Sequence, residues 1–294
     1  MKRLAMTALL ACAAQATAAI SVKDDRGETV TLARPAQRVI TLSPHTTELV
    51  FAAGAGERII GTVRHSEYPE AAKAIARVGD NKLIDLERVV AMQPDLLVVW
   101  LHNVAERQVE ALRRLGIPMF YSDPRRLDDI PDTLERLGLL LGTGAHAQRE
   151  ARQFRERMAQ LKEQHRQRPV VRVFYQLWDA PLYTLNDKSI ASDVLRTCGA
   201  ENVFGALSLP APVVSVEAVL LEKPDAIVAA AGGKRSSDGL GHWRAYTSLP
   251  AVRHGNLFAV NSDLINRPGL RILDGAALVC EQMERARREL ERRP

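Results

Sequence analysis

The groups best placed to do chemistry are three histidines and two tryptophans. His45, His65 and His102 each lie just past a short apolar run that reads as a strand, and Trp100 closes one of those runs. Trp178 and Asp179 follow another run, and Asp263, Leu264, Ile265, Asn266 and Arg267 follow the last. In open parallel sheets ligands sit beyond the carboxyl ends of the strands, so these residues would border one cleft. Imidazole and indole groups there suit a flat or metal-bearing ligand. Taken singly, each histidine reads more readily as a solvated loop residue, and Trp100 reads equally as a core residue; three histidines at neighbouring strand ends are less easily dismissed. A second reading of the same groups is a zinc or manganese carrier, with His45, His65 and His102 as ligands and Asp263 as a fourth.

The usual enzyme signatures do not occur: there is no G-x-x-x-x-G-K-[ST], G-x-S-x-G, H-E-x-x-H or C-x-x-C. Gly54-Ala55-Gly56-Glu57 follows a helical pattern and lacks a third glycine, so it reads as a helix C-terminal turn rather than a dinucleotide loop. Without these signatures an enzyme is possible but unsupported by the residues, and no resident cofactor is expected. A periplasmic enzyme or chelatase on the same scaffold is the alternative from another class.

The elements that must position these groups follow from hydrophobic patterning. Arg38–Leu42, Arg58–Val63, Asp95–Trp100 and Pro118–Tyr121 read as strands, with helices at Thr47–Ala53 and Leu86–Met92 between them. Continuous apolar strands alternating with helices indicate a parallel sheet covered on both faces. Residues 145–168 contain no Gly or Pro, and Ala147, Ala151, Phe154, Met158 and Leu161 fall on one stripe. Beyond Pro169 the alternation restarts, with strands at Val171–Gln176, Leu182–Leu185, Ala226–Ala230 and Leu257–Asn261 and a last helix at Arg271–Glu291. Residues 20–36 read as an exposed, linker-like start. The expected fold is α/β: two similar parallel-sheet lobes, 20–144 and 169–294, joined by one long helix, 145–168, with the ligand cleft between them.

The second half repeats the first. Leu86-Glu87-Arg88-Val89-Val90-Ala91-Met92-Gln93-Pro94-Asp95 aligns with Val216-Glu217-Ala218-Val219-Leu220-Leu221-Glu222-Lys223-Pro224-Asp225. Glu57-Arg58-Ile59-Ile60-Gly61 matches Glu201-Asn202-Val203-Phe204-Gly205 in the same order, which points to an internal duplication. Glu87 and Glu217 therefore hold one position in two lobes, each at a helix start where the helix dipole favours an acid. The same placement would also serve as a symmetric pair of acids for a partner with symmetric basic sites.

Composition sets the frame. With 294 residues, 46% of them hydrophobic, the chain can build a large core without disulfides or metals. The net charge of +5 is scattered and forms no basic stripe, which argues against nucleic acid. Lys2 and Arg3 precede the apolar run Leu4–Ala14, and Ala16-Thr17-Ala18 fits a small-residue cleavage site. Residues 1–19 thus read as a secretory signal peptide that sends the chain to the periplasm. Leu9-Leu10-Ala11-Cys12 also resembles a short lipoprotein signal. No later stretch approaches the roughly 20 apolar residues of a membrane helix. Removing the leader leaves Cys198 and Cys280, an even pair that reads as a disulfide or as two buried thiols.

These features together resemble the solute-binding proteins of ABC importers that carry cobalamin, siderophores and haem. The likeness runs through Arg38–Pro44, Thr47–Leu49, Ser66-Glu-Tyr-Pro69, Leu86-Glu-Arg88, Pro94-Asp-Leu96, Ala105–Val109, Cys198-Gly199, Glu201-Asn202 and Val214-Ser215, and covers about residues 37 to 285. It implies a monomer that captures a corrinoid, cobalamin or a relative, and delivers it to an inner-membrane permease. By the same resemblance Glu87 and Glu217 dock on the permease, Cys198 and Cys280 pair, and Trp100 packs on the corrin. Asp263–Arg267 then form a ligand-contacting loop. The sequence departs from the family at His65, where a pocket tyrosine is usual, at Gly79–Asn81, where a cleft tryptophan is missing, and at Ala211, where an aromatic is usual. Haem or an iron chelate is the alternative ligand, and His65 would be an axial ligand to a chelated metal.

Overall fold

A computed structural model describes residues 19–80, 82–100, 102, 104, 106–232 and 239–292. Residues 1–18 of the leader with Cys12, and Asn81 and Ala105, lie outside the described residues. The chain opens on a hairpin of β1 (Ile20–Lys23) and β2 (Thr29–Leu32), with Val22 opposite Val30. Val22, Val30 and Leu32 are buried, so residues 20–36 are not an exposed linker. The hydrophobic alternation there spans only four residues per strand, too short to stand out in sequence. The turn is fixed locally: the Asp24 carboxylate accepts from the backbone N–H of Arg26 and Glu28, both at 2.9 Å.

The first lobe continues through β3 (Val39–Thr41), α1 (Pro44–Ala52), β4 (Ile59–Thr62), α2 (Leu86–Ala91), β5 (Leu96–Val99), α3 (Glu106–Arg114), β6 (Met119–Tyr121) and α4 (Asp129–Leu140). Helix α5 (Gly144–His165) then leads to β7 (Val171–Gln176), β8 (Trp178–Asp179), β9 (Leu182–Tyr183), α6 (Ile190–Thr197) and β10 (Ala200–Asn202). The chain ends with α7 (Val216–Glu222), β11 (Ala226–Ala231), α8 (Pro250–Arg253), β12 (Leu257–Asn261), α9 (Ser262–Ile265) and α10 (Ile272–Glu291).

Two four-stranded parallel sheets result, in the orders β4-β3-β5-β6 and β10-β7-β11-β12. All four side chains of β5 are fully buried, as a sheet covered on both faces requires. Two strand expectations needed correction. Leu182–Leu185 does not join the main sheet; its first half, β9, pairs with β8 in a separate antiparallel ribbon. Its place in the sheet is taken by β10, whose polar Ala-Glu-Asn sequence gave no strand signal.

The helix–Pro-Asp repeat is reproduced in its caps and hydrogen bonds. Helices α2 and α7 are capped by Asp85 and Ser215, whose side chains accept from the backbone N–H of Arg88 and Ala218. Val89 and Val219 are their buried anchors. Gln93 and Lys223 both take the left-handed conformation, at φ 47° and 48°, and turn the chain into Pro-Asp. The N–H of Asp95 donates to the Arg38 carbonyl at 2.9 Å, and that of Asp225 to the Arg172 carbonyl at 2.8 Å. The side chains of Arg38 and Arg172 in turn donate to the carbonyls of Met92 and Glu222 that end the two helices. Equivalent strands take equivalent places: β3 with β7, β4 with β10, β5 with β11, β6 with β12.

One hydrophobic core runs beneath both sheets. Leu134 and Leu137 of α4, Phe154 and Met158 of α5, Val194 of α6 and Val279 and Met283 of α10 all belong to it. The lobes therefore share a packed floor rather than hanging on a thread. A disulfide joins Cys198, the C-cap of α6, to Cys280 on α10. Each lobe also has a smaller cluster on its other face.

Candidate functional site

The carboxyl ends of the two sheets face one another across two adjoining cavities. One, of about 530 Å³, is lined on the first lobe by Ser43, Pro44, His45, Trp100, His102, Asp123 and Arg125. Its opposite wall comes from Leu177, Leu185, Asn186 and residues 188–190 with Ser208 and Pro210, and its floor from Asn266, Arg267 and Pro268. The other, of about 660 Å³, is bounded by Leu177, Trp178, Tyr183 and Ala211 of the second lobe, with Lys82 reaching in from the first. The two share Leu177 and Asn266. Each holds one indole, and each lies within the usual size range of small-molecule sites.

Local sequence explains how the first wall forms. Ser43 caps α1 in a reciprocal box with Thr46, and Pro44 presets the first helical turn. That turn buries His45. Its Nδ1 meets the Ser43 hydroxyl at 3.0 Å and its Nε2 the Ser122 carbonyl at 3.3 Å, so both ring nitrogens are engaged. Burial lowers the His45 pKa to about 4, so the ring is neutral at neutral pH. Beneath it, the hydroxyls of Thr41, Thr47, Thr62 and Ser66 form a closed, buried network.

Asp123, at the end of β6, gathers the rest of this wall. One carboxylate oxygen accepts from Trp100 Nε1 at 3.0 Å and lies 3.1 Å from His102 Nε2. The other accepts from Arg125 Nε at 2.9 Å. Burial raises the Asp123 pKa, but hydrogen bonds from His102, Trp100 and Arg125 outweigh it and bring it down to about 2. The Trp100 ring sits between two imidazoles, 5.8 Å from His45 and 4.9 Å from His102 by centroid.

The floor is held by a buried acid. Glu48 of α1 receives Arg271 through Nη2 at 2.5 Å and Nε at 2.9 Å, and Arg267 through Nη1 at 3.4 Å. Arg267 also pairs with Asp263 at 2.8 Å, and the Arg271 guanidinium lies over the Tyr68 ring. These pairs tie the first lobe to the segment following β12.

The residues singled out in sequence are distributed as follows. Trp100, His45 and His102 line the smaller cavity together with Asn266 and Arg267, and Trp178 lines the larger. Asp263 pairs with Arg267 on α9, Leu264 is partly buried, and Ile265 is fully buried in the shared core. His65 is exposed at φ 65° in the loop after β4 and lines neither cavity. The three histidines do not meet, and among the described residues no three His, Cys, Asp or Glu side chains group to hold a metal ion. The three-histidine reading fails for that reason and because both nitrogens of His45 are taken. Glu87 and Glu217 stand exposed in the first turns of α2 and α7, outside both cavities. The Glu217 pKa is lowered by its own backbone N–H and by the Ser215 hydroxyl. Sequence reasoning missed Asp123, Glu48, Arg271, Leu177 and Asn186. Asp123 follows a strand end like the others and was findable by that rule; Glu48, inside a helix, was not.

The sequence over residues 39–264 matches the periplasmic binding protein family. The chain is 37% identical over 256 residues to a vitamin B12-binding protein of Vibrio parahaemolyticus, covering 87% of this chain and 92% of that one. It is 36% identical to one of Yersinia pestis, covering 85% and 88%. Its backbone is similar to the crystal structure of the periplasmic vitamin B12-binding protein of Vibrio cholerae, with a TM-score of 0.80 at 33% identity over 86% of this chain and 98% of that one.

Proposed function

The chain belongs to the periplasmic binding protein family, and from that premise we propose that it captures a corrinoid, cobalamin or a close relative, and hands it to an ABC importer permease. The observation that carries the reading is the pair of adjoining cavities between the lobes, each bearing an indole and sharing Leu177 and Asn266. A macrocycle is flat and apolar on its faces and polar at its rim. It would be received by Trp100 and His102 from one side and by Leu177, Trp178 and Tyr183 from the other, with Asn266 and Arg267 below. Aromatic faces supply most of the apolar contact in such sites, while a few polar groups fix orientation. The likeness to vitamin B12-binding proteins along 85–87% of the chain supports the choice of ligand.

Binding is the whole chemistry proposed: ligand in at the cleft, ligand out at the permease, no bond made or broken. Glu87 and Glu217 are the proposed docking acids, one per lobe. The leader at residues 1–19 is the proposed route to the periplasm.

Calorimetric titration of the purified mature chain with cyanocobalamin, cobinamide, haemin and zinc chloride tests the reading. Tight binding of the two corrinoids, with no zinc binding, is expected. Haemin binding without corrinoid binding would replace the proposed ligand, and binding of none would remove it.

A further inference from the structure

The cleft tryptophan and its neighbours do not hold themselves in place. Trp100, His102 and Arg125 all converge on the single carboxylate of Asp123, at 3.0, 3.1 and 2.9 Å. With both oxygens engaged by donors on protein side chains, this carboxylate is committed to orienting its neighbours rather than to meeting a ligand. Its backbone is gripped as well. The Asp123 N–H donates to the Asp25 carboxylate at 2.6 Å, and Asp25 pairs with Arg136 of α4 at 2.6 Å. The Asp25 N–H donates to the Tyr121 carbonyl at 3.1 Å, and the Tyr121 N–H reaches the Asp24 carboxylate at 3.3 Å. The turn of the N-terminal hairpin thus clamps the segment that carries Asp123.

We propose that Asp123 is a positioning residue for ligand binding, fixing the Trp100 indole against the cleft, and that the Asp24–Asp25 turn is the support that fixes Asp123. The physical reason is preorganisation. An indole free to rotate must be immobilised when the ligand arrives, which weakens binding. A charge-assisted hydrogen bond to Nε1 makes that ordering part of the fold instead. This role of Asp123 rests on the proposed function only for the choice of ligand.

The test is a double-mutant cycle with cyanocobalamin, read by calorimetry on the mature chain. Asp123→Ala is expected to raise Kd about ten-fold when Trp100 is present, the scale of one lost charge-assisted hydrogen bond. Introduced into Trp100→Ala, it should cost less than about three-fold, because the group it positions is gone. Asp123→Asn, which keeps one acceptor for Nε1, should restore most of the loss. Equal cost in both backgrounds overturns the proposal.

A second readout needs no ligand. In a Trp178→Phe background the remaining indoles are Trp100 and the buried Trp243. Adding Asp123→Ala should increase acrylamide quenching by freeing Trp100, and unchanged quenching overturns the proposal. If the wild-type chain does not bind cyanocobalamin, the corrinoid reading falls while quenching still decides the role of Asp123. Asp25→Ala, which removes the support and leaves the carboxylate, carries the same two measurements if Asp123→Ala does not fold.

Discussion

Replacing both cysteines of the Cys198–Cys280 disulfide by alanine should lower thermal stability without changing ligand affinity. The bridge is separated by 82 residues along the chain and joins α6 to α10 in the shared core. Closing a loop of that size removes conformational entropy from the unfolded chain worth about 4.5 kcal/mol at 25 °C. Unfolding entropy of about 2.1 cal/mol/K per residue, over about 270 residues, gives about 0.6 kcal/mol/K and so a fall in Tm of about 8 °C. Both sulfurs are buried, so alanine is preferred to serine, whose hydroxyl would be left without a partner. Neither cysteine lines a cavity, so the dissociation constant for ligand should stay within about two-fold, a shift of roughly 0.4 kcal/mol. The assay is thermal unfolding by circular dichroism, paired with calorimetry at a temperature where both proteins are folded. A fall of less than about 2 °C, well under the estimate above, would refute the loop-entropy reasoning. A large change in affinity would show that the bridge shapes the cleft after all.

The remaining predictions concern charge. His45 has a pKa of about 4 in the fold against 6.5 for the free side chain, so the unfolded chain binds its proton more readily. Its contribution is complete above pH 6.5 and is lost as pH falls toward 4, about 2 kcal/mol of it between pH 7 and pH 5. Urea unfolding at those two values should show that loss, and His45→Gln should flatten it. Glu48→Ala leaves two guanidinium groups without their buried acid and should cost about 3–5 kcal/mol by denaturant unfolding, whereas a change below about 1 kcal/mol would mean that solvent already screens the pairs. Glu87→Ala and Glu217→Ala should leave ligand affinity unchanged and impair capture by the permease, with the double variant and the Lys variants worse; pull-down at low and high salt checks this, since surface ion pairs weaken with ionic strength. Collapse of ligand affinity in either single variant would place that acid in the pocket.

The sequence by itself determined the architecture, because architecture is written in local periodicity. Leu96–Val99 read as a strand buried on both faces and the stripe from Ala147 to Met158 as a helix lying on a core, and both are so in the structure. The duplicated Glu-x-Val and Pro-Asp segments announced two lobes, and the structure adds their matching caps at Asp85 and Ser215. Strand ends placed Trp100, Trp178 and Asn266 at one edge. Tertiary structure decided the contacts whose partners lie far apart in sequence. Glu48 and Arg271 are 223 residues apart, and Asp25 and Asp123 are 98 apart, so no window of sequence pairs them. The hairpin at 20–32 and the polar strand β10 stayed hidden because each is defined by what it packs or pairs against. His45 shows the same limit from the other side: its position at a strand end was legible, but the burial that keeps it neutral is set by the tertiary fold, and its second partner, the Ser122 carbonyl, lies 77 residues away. Local propensity acts within a few residues of itself, whereas the protonation and placement of a side chain are set by whatever the folded chain brings to within a few ångströms.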